Sequence, residues 1–287
     1  MFMRSLRLRS PAKLNLYLKV INKREDGYHN LETIFERIDL FDEIALTLNR
    51  DGRIRVACDH SDVPVDSSNL VYKVAQLLKD DFALQDGVDI MISKRIPVAA
   101  GLAGGSSNAA TVLLGLNRLW KLDLSSIELL AYARKIGSDV AFFLYDCSWA
   151  LGLERGDKIK KLMIPSHLWH ILVVPSIKMY SKKVFGALNL ELTKQSDDVN
   201  ILIRSLRKND IDAVGDALFN GLESTILKLS PPLQDLKERL LGMKTTGVSF
   251  SGSGPAVFGL TKTQQEAEAL KAILKKQYTQ VFVVRTF

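Results

Sequence analysis

Hydrophobic and polar residues alternate along residues 12–20, near the start of the chain. A period of two predicts a strand with one buried face. The polar positions include Lys13 and Asn15, whose side chains then share a face about 7 Å apart by the rise of a strand. The turn signal Asp26-Gly27 follows. Residues 31–48 are rich in β-compatible types, which predicts further strand.

Helical spacing takes over in the next part of the chain. Apolar residues three and four apart predict helices over residues 69–78 and 127–136, the second closed by Gly137. Between them, a strand over 88–93 and a loop of small residues over 97–107 precede a helix over 108–120. That helix is apolar on nearly every side, which predicts a central place in a core.

After Gly156 the chain again combines strands and helices, as in the first half. A capping box, Thr263-x-x-Glu266, opens a helix that runs to Lys276. Two strands before it and one after it are typical of the end of a split βαβ sandwich. The strands are predicted over residues 171–174, 248–250, 256–260 and 281–284, and further helices around 201–206, 213–218 and 233–241. The pattern predicts an α+β protein with two domains, residues 1–157 and 158–287.

Composition narrows the class of protein. Hydrophobic residues make up 47% and charged residues 25% of 287, values that allow a packed core and exclude a disordered chain. Two separated cysteines, Cys58 and Cys147, predict no disulfide framework and favour a reducing, cytoplasmic compartment. The basic stretch 1–9 has no apolar run of the signal-peptide kind. No stretch reaches the roughly 20 apolar residues of a membrane helix, so we expect no membrane partner.

The net charge of the chain indicates which molecules it attracts. The formal net charge of +7 favours anionic partners such as nucleotides and phosphorylated metabolites. The basic residues are scattered, and the chain carries no DNA- or RNA-binding motif. We therefore expect a small anionic molecule rather than a nucleic acid.

The loop over residues 97–107 is the sharpest candidate for chemistry. Its small residues let backbone N–H groups approach a ligand closely, and it runs straight into a helix N-terminus, which attracts anions. Ser106 and Ser107 add hydroxyls for a phosphate or a metal ion. A plain strand-to-helix turn with serine capping is the alternative, but Gly104-Gly105-Ser106-Ser107 exceeds what a turn requires. The Walker, Rossmann and protein-kinase motifs are absent from the sequence.

Other candidates carry stronger structural alternatives. Residues 251–255, Ser-Gly-Ser-Gly-Pro, suit a hairpin turn as well as a ligand contact. Asp139 follows a helix stop, and the residues alone favour a helix N-cap over a proton acceptor. Tyr28 and His29 lie beside a turn, where such side chains pack or stack on a base. Lys13 either extends along an apolar surface or forms a functional polar pair with Asn15.

These motifs occur in an order that resembles the GHMP small-molecule kinases. The resemblance is carried by residues 11–16, 27–29, 97–110, 137–140 and 251–258, and so spans nearly the whole chain. It implies a two-lobed α+β fold, with an N-terminal lobe like ribosomal protein S5 and a C-terminal ferredoxin-like split βαβ lobe. It also implies a kinase that uses ATP and Mg²⁺.

The same resemblance implies roles for individual residues. Lys13 and Asp139 match the catalytic pair of the family. Residues that match substrate-binding positions are Asn15, Tyr28, His29, Phe185, Gly252 and Gly254. Residues that match ATP-binding positions are Asn69, Lys94, Pro97, Val98, Ala99, Ala100, Gly101, Leu102, Ala103, Gly104, Gly105, Ser106 and Ser107. Ser106 or Ser107 would supply a protein ligand to Mg²⁺.

The strand over residues 11–16 and the Gly-Tyr-His turn favour one member of the family. Its substrate is a small molecule that links cytidine diphosphate to methylerythritol and is phosphorylated on the 2-hydroxyl. Another GHMP kinase, acting on homoserine, mevalonate or a sugar, and a non-catalytic ligand sensor stay open as alternatives. Alanine stands at Ala99, Ala100 and Ala103, where the family usually has glycine. We expect a monomer or a weak homodimer.

Overall fold

The structure, a computed structural model, describes residues 4–190 and 198–287. The chain folds into two compact units that are assembled from interleaved segments. The first unit contains Met1–Ala12, Leu40–Val98 and Ala103–Asp146, and the second contains Lys13–Asp39, Ala99–Leu102 and Cys147–Phe287. The division predicted at residue 157 stays a prediction.

Eleven strands are formed by the described residues. They are β1 (Ser5–Lys23), β2 (His29–Asn49), β3 (Ile54–Cys58), β4 (Gly87–Ser93), β5 (Trp149–Glu154), β6 (Lys158–Lys161), β7 (Trp169–Val174), β8 (Phe219–Asn220), β9 (Gly247–Phe250), β10 (Val257–Thr261) and β11 (Gln280–Arg285). β1 and β2 are long, and the residues of each belong partly to one unit and partly to the other.

Ten helices are formed by the same described residues. They are α1 (Leu70–Asp81), α2 (Gly104–Leu119), α3 (Ser126–Ile136), α4 (Val140–Leu144), α5 (Ser181–Gly186), α6 (Val199–Lys208), α7 (Ile211–Asp216), α8 (Glu223–Leu229), α9 (Pro232–Leu241) and α10 (Gln264–Leu274). None of the described helices is long and apolar enough to span a membrane.

The first unit places four helices beside a sheet. β4 pairs in parallel with β3 and antiparallel with the second half of β2. Helices α1, α3 and α4 pack against α2, which is buried on nearly every side. The central position predicted for this helix is confirmed.

The second unit contains a four-stranded antiparallel sheet in the order β11-β7-β10-β9. The first half of β2 pairs with β5, which pairs with β6. β8 is a two-residue strand that runs parallel to β1. The core joins residues of the four-stranded sheet to residues of β1 and the helices, among them Leu18, Ile171, Phe250, Ile226 and Leu270.

Most of the predicted elements are confirmed, including the α10 capping box from Thr263 to Glu266. One boundary was wrong where it matters for the site. The loop predicted over residues 97–107 ends early, because α2 begins at Gly104 rather than at residue 108. Gly104 is packed so tightly that an added Cβ would lie 2.9 Å from Lys94 Nζ and 3.0 Å from Ile96 Cγ2. A glycine that sequence reasoning assigned to a loop therefore starts the helix.

Candidate active site

Lys13 is a buried cation in the second unit. Only 4% of the residue is exposed. Its ammonium donates a hydrogen bond to Asn15 Oδ1 and another, of 2.9 Å, to the carbonyl oxygen of Gly101. Asn15 is held in turn, since its Nδ2 donates to Thr33 Oγ1 at 2.8 Å. A buried ammonium held by oriented oxygens is typical of a functional site.

Two glycine-containing segments meet beside this lysine. A Cβ on Gly101 would lie 2.0 Å from the carbonyl oxygen of Ser251, and one on Gly252 would lie 3.3 Å from Lys13 Nζ and 3.1 Å from Asn15 Oδ1. Ser251 Oγ donates to the Gly101 carbonyl at 3.0 Å. The absence of side chains at Gly101 and Gly252 therefore permits the close packing around the ammonium.

Residues 251–255 form the connection between β9 and β10, which pair antiparallel. The predicted hairpin is confirmed. An added Cβ on Gly254 would contact Ile226 and Met179, whereas one on Gly252 would contact Lys13 and Asn15. The role of Gly254 in substrate binding stays a prediction.

Asn220, which the sequence analysis did not identify, binds the backbone of the β9–β10 hairpin. It is buried, and its Nδ2 donates to the carbonyl oxygens of Phe250 at 2.9 Å and Gly252 at 2.8 Å. Its Oδ1 accepts from the backbone N–H of Leu222 at 2.9 Å. No sequence pattern marks Asn220 as part of the site, because the two carbonyls to which it donates lie 30 and 32 residues away along the chain.

A group of aromatic residues lies at the start of β2. The His29 ring contacts the Phe185 ring at 5.3 Å between centroids. Burial, together with the charge of Lys23, lowers the pKa of His29 below its ordinary value, so the imidazole is neutral at neutral pH. Tyr28 is exposed, and the guanidinium of Arg155 lies 5.2 Å from its ring centroid. Sequence reasoning missed Arg155.

The first unit presents the N-terminus of α2. The first three backbone N–H groups of a helix have no acceptor within the helix, and no side chain caps this one. Gly105 is exposed, and a Cβ placed on it would meet no atom within 4 Å. Ser107 Oγ is buried and accepts a hydrogen bond of 2.8 Å from Ser10 Oγ. Of the two serines predicted to bind a metal ion, only Ser106 is partly exposed.

Lys94 belongs to a buried ion pair in the same unit. Its ammonium lies 2.7 Å from Asp42 Oδ2 and donates to the carbonyl oxygen of Ile96 at 2.6 Å. The other oxygen of Asp42 accepts from the backbone N–H groups of Arg95 and Ile96. Burial lowers the pKa of Lys94, although the charge of Asp42 opposes the shift. The pair fixes the chain between β4 and the loop of small residues.

Asn69 and Asp139, two further residues predicted for the site, both lie at the N-terminus of a helix. Asn69 is the N-cap of α1, where its Oδ1 accepts from Val71 N at 3.0 Å, and a structural role accounts for its position. Asp139 occupies the N-cap position of α4, but its side chain makes no capping hydrogen bond. The predicted N-cap position of Asp139 is therefore confirmed, whereas the expected capping hydrogen bond of its side chain is not formed. Pro97 and Val98 are half-buried in the turn after β4.

Comparison with known proteins decides the family. The family "GHMP kinases N terminal domain" matches residues 69–147, and "GHMP kinases C terminal" matches residues 202–280. The chain belongs to the GHMP kinases. Kinases of this family take the phosphate they transfer from ATP.

Individual GHMP kinases resemble the chain over nearly its whole length. The 4-diphosphocytidyl-2-C-methyl-D-erythritol kinases of Exiguobacterium sibiricum and Bacillus velezensis are 41% and 43% identical to it, over 97% and 96% of this chain and 96% and 95% of theirs. A crystal structure of 4-(cytidine 5'-diphospho)-2C-methyl-D-erythritol kinase is 30% identical. It superposes with a TM-score of 0.82 and covers 98% of this chain and 100% of its own.

Two of the three alanines in the loop of small residues have a left-handed backbone. Ala99 and Ala103 adopt left-handed φ angles of +53° and +55°, a region that glycine enters at no steric cost. Ala100 does not, and it is buried. The loop therefore tolerates alanine at Ala99 and Ala103 at the expense of local strain.

Proposed function

We propose that this chain transfers the γ-phosphate of ATP to the 2-hydroxyl of 4-diphosphocytidyl-2-C-methyl-D-erythritol. Its identity of 41–43% with enzymes of that name, over nearly the full length of both chains, carries the proposal. The buried lysine held by Asn15 and Gly101 is the feature of the structure that fits phosphoryl transfer best.

Lys13 is proposed as the residue that offsets the negative charge of the moving phosphoryl group. Its ammonium is already desolvated and oriented, so little reorganisation is needed when charge develops. Phosphoryl transfer depends chiefly on positioning and electrostatics, which explains why few side chains are required. Asp139, half-buried and not used as a cap, is proposed to orient the 2-hydroxyl and accept its proton.

The start of α2 is proposed to bind the phosphates of ATP. Its first N–H groups and the helix dipole attract anions, and the open space at Gly105 lets a phosphate approach the backbone. Among the described residues, no group of three or more histidine, cysteine or acidic side chains is suited to hold a metal ion. Mg²⁺ would therefore bind mainly to phosphates and waters, with Ser106 as a protein ligand, and would neutralise phosphate charge.

The cytidine part of the substrate is proposed to bind at Tyr28, His29 and Phe185. An exposed tyrosine ring offers a stacking surface for a base. The neutral imidazole of His29 can both donate and accept hydrogen bonds. Asn15, fixed between Lys13 and Thr33, is proposed to bind the substrate beside the lysine.

An assay of ADP release tests the substrate. The protein is incubated with Mg-ATP and, in separate reactions, with the cytidine diphosphate compound, homoserine, mevalonate and galactose. We expect ADP only with the first. Release with another acceptor would refute the substrate and the role given to Tyr28 and His29. If folded protein binds ATP but releases no ADP with any of the four, the phosphotransferase proposal fails in favour of a ligand sensor.

A lysine variant tests the chemistry separately. Lys13→Met keeps the length of the side chain and removes its charge. We expect kcat to fall by at least about a hundredfold, the scale of a lost transition-state donor, while the Kd for ATP changes little. A variant with nearly normal kcat would show that Lys13 is not catalytic.

A further inference from the structure

Asn220 has an orientation that the structure leaves no freedom to change. It lies on β8, paired with Leu18 of β1, and is 5% exposed. Both carbonyls that face its Nδ2, those of Phe250 and Gly252, need a donor, and the N–H of Leu222 needs an acceptor. A flipped amide would set its oxygen against two carbonyl oxygens and its nitrogen against an N–H. The side chain therefore fixes three backbone groups at once.

One of those backbone groups is directly linked to the lysine site. Gly252 approaches so closely that an added Cβ would lie 3.3 Å from Lys13 Nζ. The preceding residue, Ser251, donates to the same Gly101 carbonyl that accepts from Lys13. A shift of the hairpin over residues 251–255 would therefore change the packing around the ammonium and the position of one of its acceptors.

We infer that Asn220 is a positioning residue for phosphoryl transfer, which acts by holding Gly252 against Lys13 and Asn15. The inference rests on the proposed function, because it assumes that Lys13 acts in the transfer. Catalysis depends on the two hydrogen bonds that Asn220 Nδ2 donates to the carbonyl oxygens of Phe250 and Gly252. A displacement of about 1 Å in a catalytic group can lower a rate by as much as a hundredfold.

A purely local role would use the other end of the side chain. Leu222 occupies the N-cap position of α8, and the Asn220 oxygen accepts its N–H. The variant Asn220→Asp separates the two roles, since a carboxylate keeps the acceptor for Leu222 and loses both donors. A carboxylate oxygen also repels the carbonyls of Phe250 and Gly252, so we expect the variant to be less stable under either role. A local role predicts a normal kcat for the folded variant, whereas the positioning role predicts a low one.

Asn117 provides a matched control. It also bridges a loop with both ends of its amide, since Nδ2 donates to Leu124 O at 3.3 Å and Oδ1 accepts from Leu124 N at 3.0 Å. It lies on α2, two residues before the end of that helix. Its amide bonds to Leu124 and, within the described part of the chain, to none of Lys13, Asn15 and Gly101. Asn117→Asp therefore removes the same kind of donor without changing Lys13 or its acceptors.

The test compares kcat, KM for ATP and thermal unfolding for both variants and the wild type. We expect Asn220→Asp to lower kcat at least about tenfold, with KM for ATP within about twofold of the wild type. Asn117→Asp should keep the wild-type kcat. A wild-type kcat for folded Asn220→Asp overturns the inference, as does an equal loss of kcat in both variants.

Two further variants keep the test decisive. If Asn220→Asp does not fold, Asn220→Ser takes its place, because it removes both donors without burying a charge. A low kcat for folded Asn220→Ser, with KM for ATP near that of the wild type, supports the inference, and a wild-type kcat overturns it. Lys13→Met separates this inference from the proposed function. If Lys13→Met has lost its kcat and Asn220→Asp keeps the wild-type kcat, the role of Asn220 is refuted and the role of Lys13 is not. If Lys13→Met keeps the wild-type kcat, the proposed role of Lys13 is refuted, and with it the basis of this inference.

Discussion

At the scale of single residues, two lysines with buried side chains lie in different surroundings. Lys13 donates to Asn15 Oδ1 and to the carbonyl oxygen of Gly101. Lys94 pairs with Asp42, which is itself completely buried. The second oxygen of Asp42 accepts from the backbone N–H groups of Arg95 and Ile96, so this pair has a structural role.

The ion pair leads to a prediction about stability. Asp42→Asn leaves the Lys94 ammonium buried without a counter-charge, and we expect a loss of about 3–5 kcal/mol in the free energy of unfolding. Urea denaturation at pH 7 measures it. Asp212→Asn, in the exposed pair with Lys262, is the matched control and should change stability little. Equal effects of the two substitutions would contradict the account of Lys94.

The loss should depend on pH. Burial already lowers the pKa of Lys94, and removing Asp42 lowers it further. Above its folded pKa the variant has lost this proton while the unfolded chain still holds it, so the stability of the variant rises with pH. The difference from the wild type should therefore shrink at alkaline pH. A difference that grows as pH rises would have the wrong sign.

Arg155 gives a prediction about binding. Its guanidinium is held by Asp157 at 2.7 Å and lies 5.2 Å from the Tyr28 ring centroid. An exposed pair of this kind contributes about 0.5–1 kcal/mol. We therefore expect Arg155→Ala to weaken cytidine diphosphate binding roughly two- to fivefold in calorimetry. Lys135→Ala, which removes the similar cation–π pair with Tyr132, is the control and should leave the affinity for cytidine diphosphate unchanged. Weaker binding of cytidine diphosphate by both variants would refute a specific role for Arg155.

Sequence reasoning identified residues whose neighbours along the chain share a motif, and it missed those whose partners are distant. Lys13 and Asn15 are two positions apart on one strand, so alternation alone predicted that they share a face. Asn220 and Arg155 carry no local signal. Their roles arise from contacts with Gly252 and Tyr28, which only the folded chain brings near.

At the scale of elements, the start of α2 links stability to function. Gly104 and Gly105 are neighbours with opposite surroundings, since a Cβ on the first would lie 2.9 Å from Lys94 Nζ and a Cβ on the second would meet nothing. The first glycine is required by packing. The second is not, which suggests that its space serves a ligand.

This contrast predicts that Gly105→Ala separates folding from binding. Alanine favours a helix by up to about 1 kcal/mol over glycine, so the variant should unfold at the same or a higher temperature. Its methyl group should weaken ATP binding about tenfold or more by obstructing the phosphates. Affinity for adenosine, which has no phosphate, is the control. Unchanged ATP affinity would refute phosphate binding at this helix.

Ala103 gives a prediction about strain in the same element. A left-handed φ costs about 1–2 kcal/mol for a residue with a Cβ, whereas glycine loses about 0.4–1 kcal/mol through the entropy of the unfolded chain. Ala103→Gly should therefore be neutral or stabilise by up to about 1.6 kcal/mol in thermal unfolding. Ala100→Gly, at a buried position without a positive φ, should destabilise. The reverse order would contradict the strain.

Elements were predictable where periodicity was strong, as in β1 and α10. They were missed where it was weak or interrupted. β5 and β6 lie on either side of Gly156 and are short, so no extended pattern marks them. The early start of α2 was missed because two glycines and two serines favour a loop by propensity, and tertiary packing against Lys94 overrides that preference.

At the scale of the whole molecule, the chain alternates between two compact units rather than completing one before the other. The long strands β1 and β2 contribute to both, which explains why composition along the sequence shows no boundary. The class of fold was still predictable, because the order of helices and strands in the second half is distinctive. Assignment to the GHMP kinases then follows from similarity over nearly the whole chain.

The proposed reaction forms a bond between phosphorus and the 2-oxygen of the erythritol. Phosphorus-31 NMR of a reaction with Mg-ATP and 4-diphosphocytidyl-2-C-methyl-D-erythritol tests it most directly. We predict a new phosphomonoester signal without three-bond coupling to a proton, since the 2-carbon of the erythritol carries a methyl group and no hydrogen, together with ADP and an intact cytidine diphosphate linkage. A phosphorylated product at another hydroxyl, loss of the diphosphate linkage, or no signal beyond slow hydrolysis of ATP would contradict it.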